Sequence, residues 1–272
     1  MDKTVSYASS PLYYRVEGDG PPVFLLHGFA EDGSIWEEQV PLLKKNFCVI
    51  LPDLPGSGRS PFNPQLSSID DYAGCLKMIV EAEGITRCIM IGHSMGGYVS
   101  LAFAEKFPAM LSGLGLFHST AFADTEEKKN TRRKSIEFIR QYGPAPFIEQ
   151  SVPNLFGSLF RERNPQKVAG LVQKYSAFQP AALIQYYEAM IQRPDRTAVL
   201  KQFSGPVLFV IGEQDKAVPL TDSLQQCCMP TLSHIHIFEN AAHMGMLEEP
   251  EKSLRILENF SGFRGSRGPH VP

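Results

Sequence analysis

The sequence has no excess of basic residues, no internal repeat and no apolar run long enough to cross a bilayer. Its 26 Lys and Arg against 29 Asp and Glu give a net charge of -3, which argues against a nucleic-acid partner. Residues 1–4 lack the basic start and apolar stretch of a signal peptide. We therefore expect a cytoplasmic protein with no membrane partner.

Metal and cofactor signatures are also missing. None of the five cysteines belongs to a CxxC pair, so neither a disulfide framework nor a zinc site is indicated. His234 and His236 alternate along a predicted strand, but no third ligand accompanies them. The glycines Gly56 and Gly58 lack the third glycine and following helix of a dinucleotide site. We expect no metal and no cofactor.

What is present is the composition of an ordinary globular protein. The 272 residues are 43% hydrophobic and 20% charged, which excludes a disordered or fibrous chain. This length fits one large α/β domain with an insertion. Residues 264–272 are rich in Gly and Pro without periodicity, and we expect a disordered tail there.

Short apolar runs alternate with amphipathic segments along most of the chain. The runs predicted as strands cover residues 5–7, 12–16, 23–26, 47–51, 88–91, 114–117, 207–211 and 234–238, and the main predicted helices cover 34–45, 68–83 and 247–260. This rhythm predicts an α/β fold with a mostly parallel sheet flanked by helices, leaving room for antiparallel strands at the N-terminal edge. Between about 119 and 203 only helical patterns occur, which predicts an inserted helical subdomain.

The segment Gly92-His93-Ser94-Met95-Gly96 matches the pattern G-x-S-x-G. It follows a buried strand and precedes a helix, which is the context in which this motif presents a serine on a sharp turn. Such a turn crowds the positions two before and two after the serine, where this sequence has glycine. Ser94 is therefore the candidate nucleophile.

A serine nucleophile needs a base, and seven histidines are available. Four of them lie at strand ends, in the turn or in the tail (His27, His93, His118 and His270), and His234 and His236 lie within a strand. His243 lies in a loop between the last predicted strand and the last helix, so it is the candidate base.

The base needs an acid that orients it. Asp215 follows the strand predicted over 207–211, in a loop at the carboxyl end of the sheet where α/β proteins place their sites. The order Ser94, Asp215, His243 is one of the known orders of a catalytic triad. Asp53 and Asp124 remain alternatives for the acid.

These segments, together with Leu25-Leu26-His27-Gly28-Phe29 and Asp53-Leu54-Pro55-Gly56-Ser57-Gly58, resemble the α/β-hydrolase fold superfamily from about residue 12 to residue 260. The resemblance implies an eight-stranded sheet in a core of residues 1–118 and 204–263, with a helical cap of residues 119–203. It also implies a Ser-His-Asp triad and an oxyanion hole formed by the backbone N–H groups of Phe29 and Met95.

From this reasoning we expect a serine hydrolase that cleaves small or medium carboxylic esters through an acyl-enzyme on Ser94. Aromatic residues of the insertion are available to line an apolar pocket for the substrate. Two alternatives stay open: a carbon–carbon bond hydrolase or enol-lactonase of the same fold, and a small-molecule receptor that retains the triad. A perhydrolase side activity would need the same acyl-enzyme. The sequence leaves the oligomeric state undetermined.

Overall fold

A computed structural model describes residues 1–263, so the tail predicted at 264–272 lies outside the described residues. The structure contains an eight-stranded sheet, and the predicted α/β class is confirmed. The strands are β1 (Asp2–Tyr7), β2 (Ser10–Glu17), β3 (Pro22–Leu26), β4 (Cys48–Pro52), β5 (Cys88–His93), β6 (Leu111–Phe117), β7 (Val207–Gly212) and β8 (Ser233–Phe238).

The strand order across the sheet is β1-β2-β4-β3-β5-β6-β7-β8. β1 pairs with β2, and β2 with β4, in antiparallel fashion, whereas all other pairs are parallel. The antiparallel N-terminal edge is thus confirmed. Every residue of β5 and β7 is buried, which explains why both strands read as continuous apolar runs without alternation.

Twelve α-helices accompany the sheet within the described residues. They are α1 (Val40–Leu43), α2 (Ile69–Ala82), α3 (Met95–Lys106), α4 (Glu126–Tyr142), α5 (Pro144–Ser151), α6 (Ser158–Arg163), α7 (Pro165–Tyr175), α8 (Pro180–Gln192), α9 (Thr197–Gln202), α10 (Leu220–Cys227), α11 (Gly245–Glu248) and α12 (Pro250–Gly262). Six of them, α4 to α9, lie between β6 and β7, where the sequence predicts the helical insertion.

Helix α2 shows why the clearest helical pattern was predicted well. Ser68 caps its N-terminus and forms a reciprocal capping box with Asp71, and buried side chains at Ile69, Tyr72, Leu76 and others form its inner face. Capping satisfies the free N–H groups of the first turn, and the apolar face packs on the protein core.

Two predicted helices are interrupted at prolines. The helix predicted over 34–45 is a 3₁₀ turn, Gly33–Trp36, followed by the single turn α1, in which Pro41 occupies the first turn. The last helix is likewise divided into α11 and α12 before Pro250. Proline has no N–H to donate and its ring clashes with the preceding turn, so neither segment forms one continuous helix.

The register of the parallel strands aligns their carboxyl ends. Leu26 of β3 lies opposite Gly92 of β5, His93 lies opposite Phe117 of β6, and Gly212 of β7 lies opposite Phe238 of β8. The loops that follow these strands therefore meet at one edge of the sheet, which is where the sequence places its candidate site residues.

Candidate active site

Ser94 occupies the turn between β5 and α3 in a strained backbone conformation, with φ 49° and ψ -115°. A positive φ is costly for a residue with a side chain and persists only when its surroundings enforce it. Here the Ser94 N–H donates to the Phe117 carbonyl at 2.9 Å, and the Ser94 carbonyl accepts from Ser119 Oγ at 2.7 Å. The neighbouring strand β6 and the residues after it thus fix the turn.

Two glycines make this turn possible. A Cβ atom at Gly92 would lie 2.1 Å from the carbonyl carbon of Gly96, and one at Gly96 would lie 2.6 Å from the His27 oxygen. Since real Cβ atoms do not approach backbone so closely, any larger residue would force the strand and helix apart. The crowding that the G-x-S-x-G pattern predicts is present in the structure.

The structure brings Asp215 and His243 together from the loops after β7 and β8. His243 Nδ1 donates to Asp215 Oδ2 at 2.7 Å, and both side chains are buried. The other oxygen, Oδ1, accepts from the N–H groups of Ala217 and Val218 at 2.8 and 2.9 Å. Because a carboxylate is an acceptor, the Nδ1 of His243 carries the proton and its Nε2 is left as the basic nitrogen.

The charges of this pair stabilise one another. Burial by itself would raise the pKa of Asp215, but the positive charge and hydrogen bond of His243, together with the nearby His118, outweigh it and hold the pKa far below its ordinary value. Burial would lower the pKa of His243, and the Asp215 carboxylate overcomes this and raises it. Asp215 is therefore ionised at neutral pH and stabilises a protonated His243.

His118, which follows β6, also faces this pair. Its Nδ1 lies 3.6 Å from Asp215 Oδ2, and its Nε2 accepts from the Gly245 N–H at 3.2 Å. Burial lowers the pKa of His118 to about 4, so the ring is neutral at pH 7 despite the nearby carboxylate. The sequence showed only that His118 ends a strand, since the contact depends on how β6 and β7 align.

The loop after β3 lies against the Ser94 turn. A Cβ atom at Gly28 would be 3.2 Å from the Cβ of Ser94, so Phe29 follows directly after a residue in contact with the turn. Helix α3 begins at Met95, and the N–H groups of a first helical turn have no acceptor within the helix. These are the two backbone positions that the resemblance assigned to an oxyanion hole.

Glu31 and His93 were not singled out by sequence reasoning as site residues. Glu31 Oε2 accepts from the Gly28 N–H at 2.6 Å and from His93 Nδ1 at 2.9 Å, and the Nε2 of His93 donates to the carbonyl of His243 at 2.9 Å. Both side chains are buried. No local pattern marks Glu31, because its side-chain partner, His93, comes from the end of another strand, β5.

The competing acids make other contacts. Asp53 accepts from the backbone N–H groups of Gly33 and Arg59, and it follows β4. Asp124 is buried between Arg132 and Arg193, with distances of 2.6 and 3.0 Å to their guanidinium groups. Neither meets a histidine among the described hydrogen bonds, so Asp215 is the acid that pairs with His243.

The other histidines are accounted for as well. His27 accepts from the Leu54 N–H at 2.9 Å and contacts the Gly28 carbonyl at 2.8 Å, which ties the loops after β3 and β4 together. His234 and His236 lie on the edge strand β8. Within residues 1–263, no group of three or more His, Cys, Asp or Glu side chains is arranged to hold a metal ion.

A small, mostly apolar cavity of about 90 Å³ lies beside the loop after β3. Its walls combine residues next to the proposed oxyanion and base positions with residues of the inserted helices: Phe29, Ala30, Glu31, Phe147, Ser151, Val152, Leu155, Leu171, Tyr175, Tyr187 and Met244. The Phe29 ring stacks on Tyr187 with centroids 4.2 Å apart. The cavity can accept a short apolar group, and the inserted helices limit how long that group can be.

The inserted region also contacts the loop that carries His243. The His243 N–H donates to the Leu155 carbonyl at 2.9 Å, and the Gly157 N–H donates to Glu248 at 2.8 Å. The other oxygen of Glu248 accepts from the N–H groups of Ala242 and Met244, on either side of His243. The helical insertion thus fixes the loop of the candidate base as well as the wall of the cavity.

None of the helices formed by residues 1–263 combines the length and apolar character needed to span a membrane.

Both the sequence and the fold of this chain are similar to those of known proteins. A family model described as alpha/beta hydrolase fold matches residues 21–250. A proline iminopeptidase from Heyndrickxia coagulans is 27% identical over 267 residues, covering 89% of this chain and 91% of the relative. A pimeloyl-(acyl-carrier protein) methyl ester esterase from Vibrio vulnificus is 26% identical, covering 93% and 99%. A malate-bound thermophilic esterase from Thermogutta terrifontis has TM-score 0.89 and 28% identity, covering 95% and 97%.

Proposed function

The chain belongs to the α/β-hydrolase fold family, and from this premise we propose that it is a serine hydrolase that cleaves small carboxylic esters. The observation that carries the proposal is the buried 2.7 Å hydrogen bond between His243 and Asp215, at the sheet edge where Ser94 occupies a strained turn. This is the combination of nucleophile, base and orienting acid that acyl transfer requires.

In the proposed mechanism, Ser94 Oγ attacks the ester carbonyl while Nε2 of His243 accepts its proton. The imidazolium that forms is stabilised by Asp215, whose ionised state the surrounding hydrogen bonds maintain. The N–H groups of Phe29 and Met95 donate to the developing oxyanion. His243 then delivers the proton to the leaving alcohol, and a water activated by the same base releases the acid from Ser94.

We assign residues 119–203 to a cap over a catalytic core of residues 1–118 and 204–263. Support comes from the cavity walls, since Phe147, Tyr187 and others come from the insertion while Phe29 and Met244 come from the core. Contacts from Leu155 and Gly157 to the His243 loop join the two parts at the site. A cap in this position restricts which acyl groups reach Ser94.

The size of the cavity favours a short acyl group. At about 90 Å³, the cavity is smaller than the roughly 300–1,000 Å³ of sites that take drug-sized ligands. An acetyl to butyryl chain fits such a space, and a long fatty-acyl chain does not. Two of the three relatives named above are esterases, and both are matched along nearly their whole length. Their names favour ester over peptide cleavage here.

The test is a chain-length series of p-nitrophenyl esters, with an enol-lactone and a vinylogous diketone alongside, assayed with wild type and Ser94→Ala. We expect turnover to be greatest for short esters and to fall to residual levels in Ser94→Ala. A fluorophosphonate probe should add one adduct, located on Ser94.

Ser60→Ala is the matched control, because the Ser60 hydroxyl accepts a hydrogen bond from the Tyr13 N–H away from the site. Its activity should equal that of wild type. Full ester turnover by Ser94→Ala, or an adduct on another serine, would overturn the assignment. Preference for the lactone or the diketone would redirect it to that reaction.

A further inference from the structure

Glu31 is a buried carboxylate for which the proposed mechanism has no use. It lies in the loop after β3, three residues beyond Gly28, and its side chain is 4% exposed. An ionised side chain in such a position is costly unless its oxygens are hydrogen-bonded. Glu31 Oε2 meets this need with the Gly28 N–H at 2.6 Å and His93 Nδ1 at 2.9 Å.

His93 extends this contact to the loop of the base. Its Nε2 lies 2.9 Å from the carbonyl oxygen of His243, which can only accept a hydrogen bond. Burial would raise the pKa of Glu31, but the charge and hydrogen bond of His93 and the Gly28 N–H outweigh it and lower the pKa. With an ionised Glu31 on one side and a carbonyl on the other, both ring nitrogens of His93 donate.

The backbone of the loop after β3 needs such support. Ala30, between Phe29 and Glu31, has φ 57°, a left-handed conformation that is strained for a residue with a side chain. The hydrogen bond from the Gly28 N–H to Glu31 closes the loop across this position. Together with the contact between His27 Nδ1 and the Gly28 carbonyl at 2.8 Å, this hydrogen bond constrains the peptide that carries the Phe29 N–H.

We propose that Glu31 and His93 are positioning residues that hold three parts of the site in register. The first part is the loop carrying the Phe29 N–H, the second is Ser94, which directly follows His93, and the third is His243. The proposal rests on the proposed function. The hydrogen bonds of Glu31, rather than its charge, do the positioning, and two substitutions of Glu31 separate these effects.

Glu31→Gln can preserve every hydrogen bond without the charge. With its amide oxygen at the position of Oε2, the Gln side chain accepts from both the Gly28 N–H and His93 Nδ1, and Nε2 of His93 still donates to the His243 carbonyl. Glu31→Met has a similar volume but leaves the Gly28 N–H and the His93 ring without their partner. Positioning by hydrogen bonds therefore predicts a large difference between the two variants.

The assay is steady-state hydrolysis of a short p-nitrophenyl ester, with rates divided by the concentration of sites that react with a fluorophosphonate. We expect Glu31→Met to lower kcat by about 10- to 100-fold, because small misplacements of reacting groups cost that much. KM should stay within about threefold, since Met has a volume similar to that of Glu and the other cavity walls are unchanged. Glu31→Gln should restore kcat to within about threefold of wild type.

Glu83→Met is the matched control. Glu83 also accepts from two side chains, Lys3 and Tyr14, each at 2.7 Å, but near the β1 edge of the sheet. Its kcat should not change. The proposal is overturned if Glu31→Met retains the wild-type kcat, if its loss lies in KM, or if Glu31→Gln is as impaired as Glu31→Met.

A second variant decides the matter if Glu31→Met does not fold. Glu31→Asp keeps the charge but withdraws the oxygens by one methylene, so its kcat should fall below that of Glu31→Gln, and an equal or higher value refutes the proposal.

If wild type neither turns over esters nor reacts at Ser94, the proposed function fails instead. Amide hydrogen exchange of residues 27–33 then tests the inference: exchange should be faster in Glu31→Asp than in Glu31→Gln, and equal rates overturn it.

Discussion

Replacing Asp215 by Asn is the sharpest test of how the candidate base is oriented. Both Ala217 and Val218 donate their N–H groups to Oδ1 of Asp215, so an Asn side chain must place its carbonyl oxygen there. Its NH₂ group then occupies the Oδ2 position, 2.7 Å from Nδ1 of His243. Nδ1 is forced to accept, and the proton of the neutral ring moves to Nε2.

The expected effect on rate follows from that tautomer. A His243 that carries its proton on Nε2 cannot accept a proton from Ser94, and the charge that stabilises the imidazolium is also removed. We expect kcat for a short p-nitrophenyl ester to fall by about 10⁴-fold, equivalent to about 5 kcal/mol of transition-state stabilisation. Reaction with a fluorophosphonate should slow in parallel, because it depends on the same activated Ser94.

The controls are the two other acids that the sequence left open. Asp53→Asn and Asp124→Asn change the same functional group at sites whose partners are backbone N–H groups and arginines. Their kcat, expressed per reactive Ser94, should stay within about tenfold of wild type. The assigned orientation would be refuted if kcat fell by less than about tenfold in Asp215→Asn. It would also be refuted if kcat per reactive Ser94 fell by more than about tenfold in either control.

The remaining predictions concern the turn, the cavity and pH. Gly92→Ala should lower the free energy of unfolding, measured by urea denaturation, by more than about 3 kcal/mol, because its Cβ would lie 2.1 Å from Gly96. Gly170→Ala is the control: its Cβ would meet no atom within 4 Å, so it should stabilise its helix. Equal changes in the two variants would contradict the crowding at Gly92. Phe147→Ala should raise kcat/KM for hexanoate relative to acetate esters by at least about tenfold, and an unchanged ratio would remove Phe147 from the acyl site. Since the base acts when neutral and the pKa of His243 is raised, kcat/KM should rise with pH through an inflection above about 6.5, and a lower inflection would contradict this.

The sheet was predictable because its strands are marked by composition. β5 and β7 are short apolar runs next to helical patterns, and burial on both faces requires that composition. The first predicted helix was wrong in extent, because the apolar spacing across residues 34–45 outweighed the one residue, Pro41, that interrupts it. Asp32 caps the short turn that forms there.

The contacts of Glu31, His93 and His118 could not be predicted. Each depends on a register between strands that are distant in the sequence, and no residue near Glu31 indicates that its partner is His93. The strain at Ser94 was signalled by its flanking glycines, whereas the strain at Ala30 and His118 had no such signal.

The sequence by itself determined which chemical groups follow each strand: a serine between crowding glycines after β5, carboxylates after β4 and β7, and a histidine after β8. Local chemistry does not distinguish Asp53 from Asp215, because both follow buried strands. The tertiary structure decided between them through the strand order, in which β7 lies beside β8 while β4 lies on the far side of β3 and β5. A hydrogen bond acts over only about 3 Å, so the acid on the strand next to β8 is the one that reaches His243. No short segment of the sequence specifies that order of strands.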